Sequence, residues 1–291
     1  MNTHLKVLAS HSNKRSGQRG LSLIELMIAM TIGLFLLSGI ATTYITSVKA
    51  NSNQDQSSML EDNARLALEV LTKSLEHTGY VSEKGIPLSK RFLKKRSEIV
   101  VESCGGAGGT SSKNVLSKTI FPSNATKDKS GGDRVTSTYY GDDRLFTDCS
   151  GGILPAGCRL GMDTTEAAKI YNSFYLDKAT NSLMCAGSRD ASAQVVAEGI
   201  ENIQYLYGVD IGDDLIVDRY IKADDLFATS PSLIDKVISI QVAILVRSLL
   251  PVKTIKEKKT YTLLDQTYTP AEADRYQREV FSTTIRLRNT L

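Results

Sequence analysis

Residues Leu26 to Val48 form a run of 23 without a charged side chain, bounded by Glu25 and Lys49. A helix rises ~1.5 Å per residue, so this run is long enough to cross the ~30 Å hydrocarbon core of a bilayer. Residues 1–20 hold Lys6, Lys14, Arg15 and Arg19 and no acid. That asymmetry keeps the N-terminus in the cytoplasm and sends everything after about residue 49 across the membrane. A secretory signal peptide would carry its apolar stretch before a small-x-small cleavage site, whereas residues 1–20 contain no apolar run. No Cys follows a short apolar segment, which removes a lipoprotein reading.

Glu25 distinguishes this span from a plain anchor. A charged side chain costs on the order of 2.5–3.5 kcal/mol at the bilayer centre and less near an interface, so it marks a function and needs a partner. The plain alternative is a carboxylate that reaches the headgroups.

The rest of the 291-residue chain narrows the chemistry. Four of its 35 Lys+Arg lie in residues 1–20, leaving 31 basic against 32 acidic side chains, a charge of −1, so the body of the protein is not built for electrostatic binding of nucleic acid. His4 and His11 also fall in the first twenty residues, and His77 is the remaining imidazole. His-ligated metal sites and Ser-His or Cys-His catalysis are therefore hard to assemble, and neither a catalytic set nor a cofactor is expected.

The order of residues around Glu25 is more specific. The string GLSLIELMIAMTIGLFLLSGI, from Gly20, resembles the type IV prepilin signature: a basic leader ending in Gly, an apolar first residue, then Ser, Leu and a Glu at the fifth mature position. The resemblance implies cleavage between Gly20 and Leu21 by a prepilin peptidase and N-methylation of Leu21. It also implies pairing of Glu25 with the N-terminal ammonium of a neighbouring subunit. Two charges that are each costly in an apolar filament core offset one another there, and the requirement sets the axial register between subunits. Phe or Met is commoner than Leu at the first mature position.

From Leu21 the first proline is Pro87, so the sequence predicts one helix over 21–78, 58 residues or about 87 Å, with Gly79 as its stop. Leu60, Ala64, Ala67, Leu68, Leu71 and Leu75 recur at spacings of three and four and make one stripe, with Glu61, Asp62, Arg65, Glu69 and Lys73 around the remaining circumference. The first half of the helix is expected in membrane or filament and the second on a globular domain. Gly33 and Gly39 permit close helix approach, through the pairs Ala29–Gly33 and Gly39–Thr43, or are ordinary membrane-helix glycines. The stretch LEDNARLALEVLTKSLEHTGY, Leu60 to Tyr80, resembles the helix of PilW-type minor pilins. Ala197–Asp210, Val237–Ser248 and Val280–Asn289 resemble that family in order and position, whereas residues 85–165 match no pattern.

Six runs read as strands: Arg134–Tyr140, Ile170–Leu176, Ser182–Cys185, Ile203–Val209, Val237–Arg247 and Val280–Arg288. The second and third make a hairpin. Ile238–Val246, apolar on both faces, is predicted as a central strand under the helix, and Val280–Arg288 alternates and is predicted half exposed. The class is α+β, a pilin-like long N-terminal helix packed on an antiparallel sheet with long loops. The expected division is a cleaved leader (1–20), a membrane or filament-core half-helix (21–48), an amphipathic half-helix (49–78) and a periplasmic β-rich domain (79–291).

Cys104, Cys149, Cys158 and Cys185 all lie on the translocated side, where disulfides are the default. Three pairings are possible, and the Gly/Pro-rich turn between them favours Cys149 with Cys158, leaving Cys104 with Cys185. The Gly-rich Cys104–Ser112 segment lacks the ending of a phosphate-binding loop and reads as a flexible loop. Lys90–Arg96 holds five basic residues around Phe92 and Leu93 and reads as a solvated face, with contact to DNA, headgroups or a partner pilin as the alternative. Asp210, Asp213, Asp214 and Asp218 faintly suggest a calcium loop, but Gly212 and Leu215 occupy positions such a loop needs, so a polar hairpin turn is the better reading.

The resemblance implies a non-enzymatic minor pilin that primes or caps a type IV pilus. It would reside in the inner membrane before assembly and in the pilus afterwards, among other minor pilins, the major pilin and a tip adhesin. The alternatives are a type II secretion pseudopilin at the pseudopilus tip, an adhesin or DNA-uptake factor acting through Lys90–Arg96, and, least favoured, a membrane-tethered enzyme.

Overall fold

The computed structural model describes residues 22–82, 91–93, 103–104, 112–113, 132–161, 165–189 and 192–289. It divides into two compact units, one ending at Asn51 and one running from Ser52 to Leu291. A single helix, α1, covers Leu23–Glu76, 54 residues instead of the 58 predicted. At its far end the chain leaves the helix through turns at His77–Gly79, and Gly79 takes φ 81°, the left-handed stop that a side chain would strain. The Asn289 side-chain amide donates to the carbonyls of Glu76 (3.2 Å) and Thr78 (3.4 Å), so the last orphan carbonyls are met by the opposite end of the chain.

Among the described residues of the second unit, twelve strands follow: β1 Ser103–Cys104, β2 Ser112–Lys113, β3 Val135–Tyr140, β4 Lys169–Asp177, β5 Ser182–Gly187, β6 Gln194–Glu198, β7 Ile200–Val209, β8 Arg219–Lys222, β9 Val237–Arg247, β10 Tyr261–Leu263, β11 Gln266–Tyr268 and β12 Arg278–Arg286. They form two four-stranded antiparallel sheets, β3-β4-β5-β6 and β12-β9-β7-β8, and two small hairpins, β1-β2 and β10-β11. The chain passes from one large sheet to the other through Gly199 alone, at φ 74°. A Cβ there would meet the Arg247 carbonyl at 2.6 Å, and the Gly199 carbonyl accepts from Arg247 N–H at 2.7 Å. Only glycine permits both the turn and that approach.

The predicted stripe is the seam between α1 and the sheets. Leu60, Ala64, Ala67, Leu71 and Leu75 are buried and Leu68 is half-buried. They share one core with Val135, Phe174 and Leu183 of the first sheet and with Ile203, Tyr207, Ile240, Ile244 and Ile285 of the second. Burying a leucine fully stabilises by roughly 1.5–3 kcal/mol, so the three stripe leucines at positions 60, 71 and 75 anchor this seam.

Strand β9 lies between β12 and β7, the central place expected for it. Its Val242, Ile244 and Val246 face the α1 core. Its Ala243 and Leu245 lie instead under Tyr261 and Leu263 of the β10-β11 hairpin. The hairpin explains why a run apolar on both faces is stable, and it is absent from the predicted strands because three-residue strands carry too little periodicity to read. Strand β12 is an edge strand with Ser282, Thr284 and Arg286 exposed and Ile285 buried, the alternation read from the sequence. Strands β6 and β8 are likewise absent from the predicted set; both are short strands at sheet edges.

Candidate assembly site

All fifteen large apolar side chains between Leu23 and Val48 are at least 47% exposed, and Phe35 reaches 82%. The mean hydropathy of this part of α1 peaks at 2.2, and the helix is long and apolar enough to cross a membrane. An apolar surface this continuous requires lipid or other helices around it. Its four threonines are internally satisfied. The hydroxyls of Thr31, Thr42, Thr43 and Thr46 donate to carbonyls three or four residues back at 2.8–3.0 Å, so they bring few unmet donors into an apolar surrounding. Sequence reasoning overlooked these threonines, though their helical spacing makes the back-bonding predictable. No neighbour lies within 4 Å of where a Cβ of Gly33 or Gly39 would stand. The Ala29–Gly33 and Gly39–Thr43 notches are thus open on this helix.

Glu25 lies in the first turn of α1, with its N–H donating to the Ser22 carbonyl at 3.0 Å. It is the one charged side chain between Ser22 and Val48. A carboxylate in the first turn is favoured by the helix dipole, typically by 0.3–1 kcal/mol. Gly20 and Leu21 lie outside the described residues.

In the head, the structure corrects the cysteine pairing. Cys149 is bonded to Cys185, with their Cα atoms 6.1 Å apart, and not to Cys158. The cause is the loop before β4. Asp148, 6% exposed, accepts from Ser150 N–H (3.0 Å), Ser150 Oγ (2.8 Å), Gly152 N–H (2.7 Å) and, across to the end of β5, Arg189 N–H (2.6 Å). Cys149 N–H also donates to Asn172 of β4 at 2.9 Å. The loop is thereby pressed against the strand that carries Cys185, while the turn at Ala156–Cys158 directs Cys158 into a separate core with Tyr139, Leu154 and Ile170. Cys158 is itself disulfide-bonded, and the Cys104 side chain lies outside the described ones.

The Lys90–Arg96 segment is described only at its centre. Phe92 and Leu93 are buried, and Arg91 donates through Nη2 to the Asp235 carbonyl (2.7 Å). These three residues tie the segment to the core, which differs from the solvated face expected; Lys90, Lys94, Lys95 and Arg96 lie outside the described residues, as does most of Cys104–Ser112. Residues 210–218 join β7 to β8 as a hairpin turn. Asp210 accepts from Asp214 and Leu215 N–H, Asp218 from Ile211 and Gly212 N–H, and Asp214 from Ile216 N–H. Asp213 pairs with Lys236 at 3.0 Å. The four carboxylates hold their own turn, and among the described residues no group of three His, Cys, Asp or Glu is placed to hold a metal. Burial pulls the His77 imidazole below its ordinary pKa, and its ring lies 6.3 Å from that of Tyr139.

Two sequence families match. Residues 172–289 match the model of the family described as Type IV Pilus-assembly protein W, and residues 15–41 match the prokaryotic N-terminal methylation motif. No curated protein matches the chain. Among solved structures, a type IV-like pilin from Thermus thermophilus is similar at 15% identity and a TM-score of 0.39, covering 79% of this chain and 97% of that one. The first match runs from within β4 through β12 and the second covers the apolar start of α1 and the stretch before it, so the C-terminal sheets are similar to the Type IV Pilus-assembly protein W family and the N-terminal region carries the methylation motif.

Proposed function

We propose that this protein is cleaved between Gly20 and Leu21 by a prepilin peptidase, methylated at Leu21, and held in the inner membrane by residues 26–48 with its head in the periplasm. From there it enters the first turn of a type IV pilus with other minor pilins and offers a surface onto which the major pilin adds, priming or capping the filament. The observation that carries this reading is the unbroken exposed apolar surface of Leu23–Val48 with Glu25 as its single charge. That surface suits sideways transfer from lipid into a bundle of like helices, because neighbouring stems cover it with apolar side chains as the lipid tails did. Glu25 then has an energetic reason to seek the new N-terminal ammonium of a neighbour. The match to a pilus-assembly family favours the pilus over the type II secretion pseudopilus.

The test is mass spectrometry of the protein from cells combined with Glu25→Val. The expected mature N-terminus is methylated Leu21; any other start refutes the processing. Glu25→Val should be cleaved at nearly the normal rate yet be depleted from sheared pili, and undiminished incorporation together with normal pilus number refutes the pairing. A bulky residue at Gly20 should slow maturation.

A further inference from the structure

The segment Leu249–Thr260 combines exposed apolar side chains with an excess of lysines. Leu249, Leu250 and Ile255 are exposed, Ile255 at 73% and Leu250 at 56%, between Lys253, Lys256, Lys258 and Lys259. The segment carries a single acid, Glu257, which is taken up by Lys253 at 2.5 Å. Among the described residues, Lys256, Lys258 and Lys259 make no ion pair: Lys258 donates to the Ala271 carbonyl (2.8 Å) and Lys259 lies over the Tyr261 ring. The net charge of the segment is +3.

The loop is also firmly held. Gln56 of α1, 6% exposed, accepts from Leu250 N–H at 2.9 Å, and Ser57 donates to Gln277 at 3.0 Å. Ser248 N–H donates to the Gln277 carbonyl, Val252 and Lys253 N–H to the Arg275 carbonyl, and Glu257 pairs with Asp274 as a β-bridge. A buried glutamine of α1 thus presents exposed leucines on a pinned loop. Gln56 follows Val48, the end of the uncharged span, by eight residues in the sequence.

We infer that the Leu249–Lys259 loop is a membrane-contact surface that seats the head on the anionic outer face of the bilayer before assembly. This rests on the membrane-anchor reading above and goes beyond it, since an anchor alone leaves the head free. Exposed leucine and isoleucine enter the headgroup boundary while the unpaired lysines meet lipid phosphates, the combination by which interfacial segments bind. The loop releases the bilayer when the stem leaves lipid for the filament.

The chain has no tryptophan, which makes the test direct. Full-length Leu250→Trp and Ile255→Trp are reconstituted into vesicles of phosphatidylcholine with about one-third phosphatidylglycerol, with brominated chains as quencher. Ile153→Trp and Ile216→Trp, exposed elsewhere in the head, serve as references. Emission at 250 and 255 should shift to the blue and be quenched well beyond that at 153 and 216. A lysine at an anionic surface is worth about fivefold in partitioning, so Lys256→Gln, Lys258→Gln and Lys259→Gln together should lower the ratio of engaged to free heads by about a hundredfold, with near-normal circular dichroism. If the protein co-floats with vesicles but all four positions are quenched alike, the loop assignment is overturned, the anchor stands, and the patch is left for an acidic partner protein. Equal quenching in pure phosphatidylcholine overturns the role of anionic lipid. Failure to co-float overturns anchor and loop together.

Discussion

An alanine at Gly187 would place its Cβ 2.0 Å from Asp148 Cγ and 2.1 and 2.3 Å from the two carboxylate oxygens. Ordinary contact begins at 3.4 Å, so the carboxylate would have to retreat by more than an ångström. Its four hydrogen bonds, at 2.6–3.0 Å, do not survive a shift of that size. Bonds to a charged acceptor contribute about 1.5–3 kcal/mol each, but they act as one network. Losing it should cost about 3–5 kcal/mol, the range for breaking a buried charged cluster. Asp148→Ala removes the same network and should cost a similar amount. Once Asp148 is gone, however, the added methyl of Gly187→Ala meets no carboxylate, so the double variant should be little worse than either single one. The coupling energy should therefore be about −3 kcal/mol, well outside the ~0.5 kcal/mol scatter of independent sites. Urea unfolding of the mature protein in detergent, followed by circular dichroism for wild type, both single variants and the double, measures it. Additive costs would refute the claim that Gly187 is glycine because Asp148 occupies the space of its side chain.

Three further outcomes are expected. Cys149→Ser opens a loop of sequence separation 36 and should lower stability by about 4 kcal/mol in the chain-entropy account, whereas dithiothreitol added to that variant should no longer affect this part of the fold; denaturant midpoints with and without reductant check it. Leu71→Ala, in the fully buried stripe, should cost about 2–5 kcal/mol, while Leu66→Ala, 46% exposed on the same helix, should stay within about 0.5 kcal/mol, as thermal unfolding would report. Burial pushes the Asp133 carboxyl up from 3.8 to about 6, so the folded state holds its proton more tightly and stability falls as pH rises from about 4 through about 6. Asp133→Asn keeps an acceptor for Tyr205 N–H and removes the titration. It should match wild type near pH 4 and exceed it by up to about 3 kcal/mol at pH 7.5, and parallel pH–stability curves would contradict this.

The stem was legible from the sequence because its determinants are local. A 23-residue uncharged run, a leading cluster of basic residues and one acid specify a membrane-length helix whatever the head does, and the 3.6-residue stripe from Leu60 to Leu75 specifies which side of its continuation is buried. The longer strands were readable for the same reason: in β9 and β12 the pattern of apolar side chains mirrors burial directly. Contacts between distant segments decided the rest. The partner of Cys149 follows from Asp148 reaching the end of β5, and the loop sequence between Cys149 and Cys158 contains nothing of that. Phe92 and Leu93 looked like part of a basic surface, yet they are buried, Phe92 through its bridge to Ser137 of β3. Gln56 holding Leu250, 194 residues away, is likewise invisible to any window on the chain. Periodicity records how a residue relates to its neighbours in sequence, and local propensity follows from it. Which loops meet, which carboxylate excludes a side chain and which apolar residues stay uncovered depend on closing long stretches of chain, and only the tertiary structure expresses that.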